Sequence, residues 1–233
     1  YQQGGLLDVY YHNDGHVYFS YSHDYKETVG ADNKPSRASS TAIARGKLIE
    51  NQIKELKVLF LATPKQYVNK HFGSRITIKD NYLYASVGER DQGMIAQDPK
   101  RHPGSIIRIH TDGSIPIDNP KFKTNPDWLP EIYQIGLRNP QGMAISPNDN
   151  NIYFSNHGPM GGDSIGIVNY AGNYGWKDIA WGGTEYTGFK IGKVPFKNKY
   201  DKHVITWVPS MAVGNFQFYK GQTFPEWDGD LIG

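Results

Sequence analysis

Turn-forming clusters punctuate this chain from end to end, and they limit it to elements too short for ordinary helices. They fall at Asn13-Asp14-Gly15, Asp80-Asn81, Asp112-Gly113, Asn148-Asp149-Asn150, Tyr170-Ala171-Gly172-Asn173 and Asp228-Gly229. Gly and Asn accept the positive φ of tight turns, and Asp and Asn side chains bond their own backbone there. Between the clusters lie His16–Tyr21 (HVYFSY), Arg75–Ile78 (RITI), Tyr82–Val87 (YLYASV), Ser105–Ile109 (SIIRI) and Asn151–Ser155 (NIYFS). These runs are strand-sized and rich in β-branched and aromatic residues. The composition agrees, with 26 Gly, 14 Pro and 13% aromatics, and the class expected is all-β.

A helix is arguable only at Leu48–Leu61, where Ile49, Ile53 and Leu56 are helically spaced. The same stretch alternates as a strand at Leu56-Val58-Phe60, and Thr63-Pro64 closes it as a turn, so the strand reading is preferred. Many short strands joined by regular turns suit a sandwich, a barrel or a propeller, and the loosely similar strand–turn–strand units favour the propeller.

The 233 residues, 38% of them hydrophobic, suffice for a single domain, 1–233, with a real core. Lys and Arg total 25 against 23 for Asp and Glu, a net charge of +2 that excludes a nucleic-acid partner. The longest apolar stretch, Val58–Ala62, falls far short of the ~20 residues that cross a bilayer, so no membrane span is expected. Without Cys there is no disulfide framework, thiolate zinc site or thiol nucleophile. The chain opens on Tyr1 and closes on a turn followed by the start of a strand, WDGDLIG, so truncation at both ends is expected. An incomplete propeller exposes sheet edges, which implies further chain or a second subunit that completes the ring.

Four polar clusters beside Gly or Pro are candidates for chemistry. His71, in HFGSR, sits at a loop–strand junction where an imidazole can act as a base near neutral pH, although a hydrogen-bonded structural His is the commoner role. Glu89, in Gly88–Gly93 (GERDQG), can orient such a His or belong to a solvated charged turn. Arg138-Asn139, set among Gly136, Pro140 and Gly142, suits a planar anionic ligand that Arg can fork or stack upon, while Pro and Gly also simply make turns. The fourth is Asn156–Asp163 (NHGPMGGD), followed by Ala171–Trp176 (AGNYGW). Its Gly-Pro loop presents carbonyl oxygens of the kind hard cations accept.

In this order the clusters resemble the pyrroloquinoline-quinone (PQQ)-dependent aldose sugar dehydrogenases, the glucose/sorbosone dehydrogenase family. The similarity runs from Gly4–Asp8 (GGLLD) through Thr41–Gly46 (TAIARG), HFGSR, SVGER, GSIIRIHTDGSIPIDNP, GLRNPQG, HGPMGGD and GNYGW to WVPSMA. The resemblance implies a six-bladed β-propeller, of which this length covers about four to five blades, with PQQ and Ca²⁺ on its top face. It implies oxidation of the C1 hydroxyl of aldoses to lactones, with His71 as general base and Glu89 in place of an Asp that assists it. Arg138 and Asn139 would bind the cofactor together with His71, with Arg138 also stabilising charge on the quinone oxygen. Carbonyls of Gly158 and Pro159 would hold the metal, and Trp207, with Glu89, would lie near the sugar. It also implies a sugar substrate, a separate electron acceptor and a periplasmic or secreted location.

The sequence departs from the family pattern at several positions. Glu89 is one methylene longer than the Asp, Leu137 stands where a His is usual, and Ser164 and Gly166 replace a Glu and an Asn. These departures support an alternative, a catalytically impaired propeller that binds carbohydrate or protein.

Overall fold

The computed structural model describes residues 3–26, 37–192 and 194–233. Antiparallel hairpins between the turn clusters build nearly all of it. β1 (Leu6–Tyr11), β2 (His16–Lys26), β3 (Arg37–Ile49) and β4 (Gln52–Leu61) form the first sheet. β5 (Gly73–Lys79), β6 (Tyr82–Val87), β7 (Ser105–His110) and β8 (Ile132–Gln134) form the second, and a one-turn helix, α1 (Pro120–Lys123), precedes β8. β9 (Pro140–Ile145), β10 (Ile152–Asn156), β11 (Asp163–Ile167) and β12 (Ile205–Trp207) form the third, while β13 (Gln217–Phe218) pairs with β14 (Leu231–Ile232).

Within each sheet the strands follow chain order, the meander of a propeller blade. The first strands touch in succession, β1 against β5, β5 against β9 and β9 against β13, so they line a common axis. Among the described residues the expected four to five blades resolve into three four-stranded sheets and a two-stranded fourth. The difference lies in 168–204, a connection as long as most of a blade whose described residues form no sheet of their own. No helix among the described residues is long and apolar enough to cross a membrane.

Residues 48–61 belong to a hairpin. Ile49 pairs with Gln52 across Glu50 and Asn51, whose φ values of 50° and 60° give the strands the twist they need. Ile49, Ile53 and Leu56 are exposed and Phe60 is buried, which removes the helical alternative.

Strand period places the core. Along β6, Leu83, Ala85 and Val87 face the first sheet and pack with Tyr18, Ile43 and Phe60. The intervening Tyr84 faces the third sheet and packs with Met143, Phe154 and Tyr174. Along β7, Ile107 and Ile109 join the first cluster and Ile106 the second. The middle sheet is buried on both faces, so its strands read as continuous apolar runs. Leu137 and Phe154 are wholly buried in the second cluster.

At Gly166 a Cβ would lie 2.5 Å from Cζ of Phe154 and 3.0 Å from Cζ of Tyr174. Phe154→Ala is expected to destabilise the fold by ~3–5 kcal/mol in urea unfolding. Gly166→Ala should cost ~1–3 kcal/mol alone, and much less in the Phe154→Ala background, where the obstructing ring is gone. Leu56→Ala, on the exposed face of β4, should stay within about 0.5 kcal/mol.

Candidate active site

The connections 62–72, 88–104, 135–139 and 157–162 all leave from the same end of the sheets, and they carry His71, Glu89, Arg138, Asn139, Gly158 and Pro159. His71 Nδ1 lies 2.6 Å from Glu89 Oε1, with both side chains almost fully buried. The other carboxylate oxygen, Oε2, accepts the Gly93 N–H at 2.6 Å. The longer Glu side chain therefore keeps the contact with His71 and spans to the loop backbone as well. An ionised carboxylate can only accept, so this contact suits the neutral tautomer that carries its proton on Nδ1 and its lone pair on Nε2. Among the described residues the His71 ring bonds through Nδ1, and no partner stands at Nε2.

His71 holds a left-handed backbone, φ 51°, which costs about 1–3 kcal/mol in a residue with a side chain. Its N–H donates to Gln3 Oε1 at 2.8 Å, and its carbonyl accepts the Arg90 N–H at 3.3 Å. Gly88 is required beside it, because a Cβ there would stand 2.0 Å from the His71 carbonyl oxygen.

Arg90 escaped the sequence reading, although it lies within the GERDQG cluster. Its buried guanidinium donates to the carbonyls of Lys70, Val68 and Ser39 and to Ser39 Oγ, and it lies 3.8 Å from the Phe72 ring centroid. Burial draws its pKa down to about 10, so it stays charged at neutral pH and pins the His71 loop to the first sheet.

The third cluster joins the first two through backbone groups. The Glu89 N–H donates to the Arg138 carbonyl at 2.8 Å. Asn139 Oδ1 accepts the Gly73 N–H at 3.1 Å and Gln141 Nε2 at 2.9 Å. The N–H groups of Arg138 and Asn139 both donate to Asn156 Oδ1, at 3.1 and 2.9 Å. One guanidinium nitrogen of Arg138 donates to the carbonyls of His157 at 3.1 Å and Gly158 at 3.0 Å, and the guanidinium lies 5.5 Å from the Trp176 ring centroid. The long connection 168–204 thus reaches the site through Trp176.

Asp163 shapes the Gly158–Pro159 turn, a role the sequence reading missed. One of its buried carboxylate oxygens accepts the Gly158 N–H at 2.7 Å, and the other accepts the N–H groups of Met211 and Ala212. The turn borders a cleft of about 350 Å³ lined by His157, Met160, Tyr186 and Ser210, a volume suited to a small ligand.

Six of the seven residues named from sequence thus form one run around a common site. Direct contacts link His71, Glu89, Arg138 and Gly158, while Asn139 and Pro159 follow in chain. Trp207 lies in β12 opposite Asp163, its carbonyl accepting the Gly162 N–H at 2.8 Å while its half-buried side chain packs against the Ala144–Ile165–Phe216 cluster. Leu137, Ser164 and Gly166 are interior positions: the first is core, the second is wholly buried in β11 with its Oγ unpartnered among the described residues, and the third yields space to Phe154. His71, Glu89 and Asp91 bring donor atoms within 4.8 Å of one another. The first two are hydrogen-bonded together and Asp91 faces Lys70 Nζ at 3.7 Å, so the cluster is a proton-handling pair beside an ion pair.

Comparison with known proteins places this geometry. Aldose sugar dehydrogenase YliI of Escherichia coli (strain K12) is 36% identical over 99% of this chain and 62% of its own length. The crystal structure of the soluble aldose sugar dehydrogenase from Escherichia coli in the apo-form superposes with a TM-score of 0.88, covering 98% of this chain and 65% of that one. Quinoprotein glucose dehydrogenase B of Acinetobacter calcoaceticus is 28% identical over 76% of this chain and 41% of its own length. The chain spans about three fifths of the YliI sequence. Residues 1–233 match the Glucose / Sorbosone dehydrogenase family throughout, and the chain belongs to that family.

Proposed function

We propose that this chain forms the catalytic part of a PQQ- and calcium-dependent sugar dehydrogenase that oxidises the C1 hydroxyl of aldoses to lactones. The observation that carries the reading is the buried His71–Glu89 pair, whose free Nε2 lies in one hydrogen-bonded run with Arg138 and the Gly158 carbonyl. Family membership and the names of the relatives support it.

The residues present fit the quinone: Arg138 is a planar cation backed by an indole, suited to a flat anionic ligand. For calcium the fit is partial. Ca²⁺ takes six to eight oxygens, and the protein offers the Gly158 and Pro159 carbonyls, the former already shared with Arg138. The remaining ligands would come from water and the quinone. When bound, the quinone supplies the two-electron acceptor for the hydride leaving C1.

The chain's own residues handle the proton and the charge. His71 Nε2 takes the C1 hydroxyl proton, and Glu89 keeps Nδ1 protonated and steadies the imidazolium that forms. Arg138, held by two carbonyls, offers positive charge where negative charge develops. Trp207 would serve the sugar only if substrate reaches β12. The alternative, a catalytically impaired propeller that binds carbohydrate or protein, rests on the departures at 89, 137, 164 and 166 and predicts no dye reduction in the assay below. We further propose that the ring is closed by additional chain or a second subunit, and that the enzyme works in the periplasm or outside the cell.

Adding PQQ and Ca²⁺ to the apo-protein should yield sugar-dependent reduction of an artificial dye. His71→Ala should lower kcat by ~10²–10⁴ with the far-UV circular dichroism unchanged, and Glu89→Gln should lower kcat with little change in KM. Absence of any quinone absorbance change at every calcium level would refute the reading. Native mass should exceed 26.3 kDa, and an active, monodisperse species of that mass would refute the ring-completion proposal.

A further inference from the structure

Behind the Arg138–Gly158 contact lies a second, smaller cavity that the proposed chemistry does not use. It is lined by Asn156, Gly158, Tyr174, Trp176, Ala180 and His203, among others, and offers about 20 Å³ of water-accessible space. That admits one or two waters and no sugar or quinone. Two polar atoms of its lining residues, Trp176 Nε1 and His203 Nε2, are buried without a protein partner among the described residues.

The neighbouring groups are already engaged. Tyr174, whose ring centroid is 4.7 Å from that of His203, donates its hydroxyl to the Ile167 carbonyl at 2.7 Å and accepts the Ile167 N–H at 2.9 Å. Asn156 Oδ1 already receives two N–H groups, and the Gly158 carbonyl receives Arg138. Burial lowers the His203 pKa to about 4, so the ring is neutral at physiological pH and carries one lone pair. An indole N–H only donates, and with the His203 proton on Nδ1, Nε2 only accepts. With the proton on Nε2 instead, that atom donates, and a water, which both accepts and donates, serves either tautomer. A metal cation cannot accept from the indole N–H, and a halide serves only the tautomer in which Nε2 donates.

We propose that this cavity is a hydration site in which an ordered water joins Trp176 Nε1 to His203 Nε2, making His203 a positioning residue for the indole that backs Arg138. The indole has cations near its ring, Arg138 at 5.5 Å and Lys177 Nζ at 5.9 Å from the centroid, so its orientation bears directly on where the guanidinium sits. Only this last consequence rests on the proposed function, because the water itself is independent of any cofactor.

The test uses the full-length protein without quinone. A high-resolution crystal structure should show a water within hydrogen-bond distance of both atoms. In solution, the ¹⁵N-indole signal of Trp176, assigned by Trp176→Phe, should show a nuclear Overhauser effect to bound water. Vacant density with no such effect, or anomalous density there after a bromide soak, would overturn the hydration site. His203→Phe fills the space without an acceptor and should abolish the effect and weaken PQQ binding several-fold, with His203→Gln restoring most of both. PQQ affinity unchanged in His203→Phe, once the water is lost, would overturn the positioning role. If that variant does not fold, the wild-type density and indole signal still decide the hydration site, and His203→Gln against His203→Ala decides the positioning role.

Discussion

An even number of antiparallel strands returns the chain to the end from which it set out. Three successive four-stranded meanders obey this rule, so among the described residues the crossings from one sheet to the next and the links 88–104 and 157–162 between second and third strands open on the same side. The tight hairpins at 12–15, 80–81 and 146–151 are consigned to the other side. Segregation of this kind needs no long-range signal, since it follows from strand parity alone. It explains how residues nearly ninety positions apart, His71 and Pro159, come to serve one site without any helix or disulfide to gather them.

Burial then dictates how the site is held. Glu89, Arg90, Arg138 and Asp163 are each almost wholly removed from solvent, a costly environment for a charge without compensation. Each is compensated largely by backbone: Glu89 by the Gly93 N–H, Arg90 and Arg138 by carbonyls, and Asp163 by three N–H groups. Peptide dipoles fixed in turns cannot swing away as long side chains can, so the charges are oriented by the fold itself. The positive φ of His71 is the local cost of this arrangement.

Local signals made the strands legible. Strand-sized runs rich in β-branched and aromatic residues between Asn, Asp and Gly turns identify β5, β6, β7 and β10, because a strand in a meander is bounded by its own turns. The clusters around His71, Glu89, Arg138 and Gly158 were legible because Gly and Pro concentrate where backbone must pass close to polar groups, as Gly88 does beneath the His71 carbonyl. What sequence concealed depends on neighbours in space. Leu137 and Gly166 read only as departures from the family pattern, whereas the fold shows one packed in the core and the other making room for Phe154, which no local pattern reveals. Trp207 carried no local mark of which way β12 would turn it. Connection 168–204 has strand-like length and composition but is held by isolated bridges such as Ile135 with Asn173 and Thr184 with Lys190.

The seam between the two halves of the site has a consequence for divergence and for recombination. His71 and Glu89 form one unit and Arg138 with Gly158 another, and the seam is joined by the main-chain N–H groups of Glu89 and Gly73, which meet the Arg138 carbonyl and Asn139 Oδ1, and by the side chains of Arg75 and Ser86, which donate to the Gln141 and Pro140 carbonyls. Main-chain groups are the same whatever the side chain. A crossover between related genes within 105–134 would therefore leave both units whole and rejoin them partly through main-chain atoms, with Arg75, Ser86 and Asn139 the side chains that must match, whereas one within 72–88 would part the imidazole from its carboxylate.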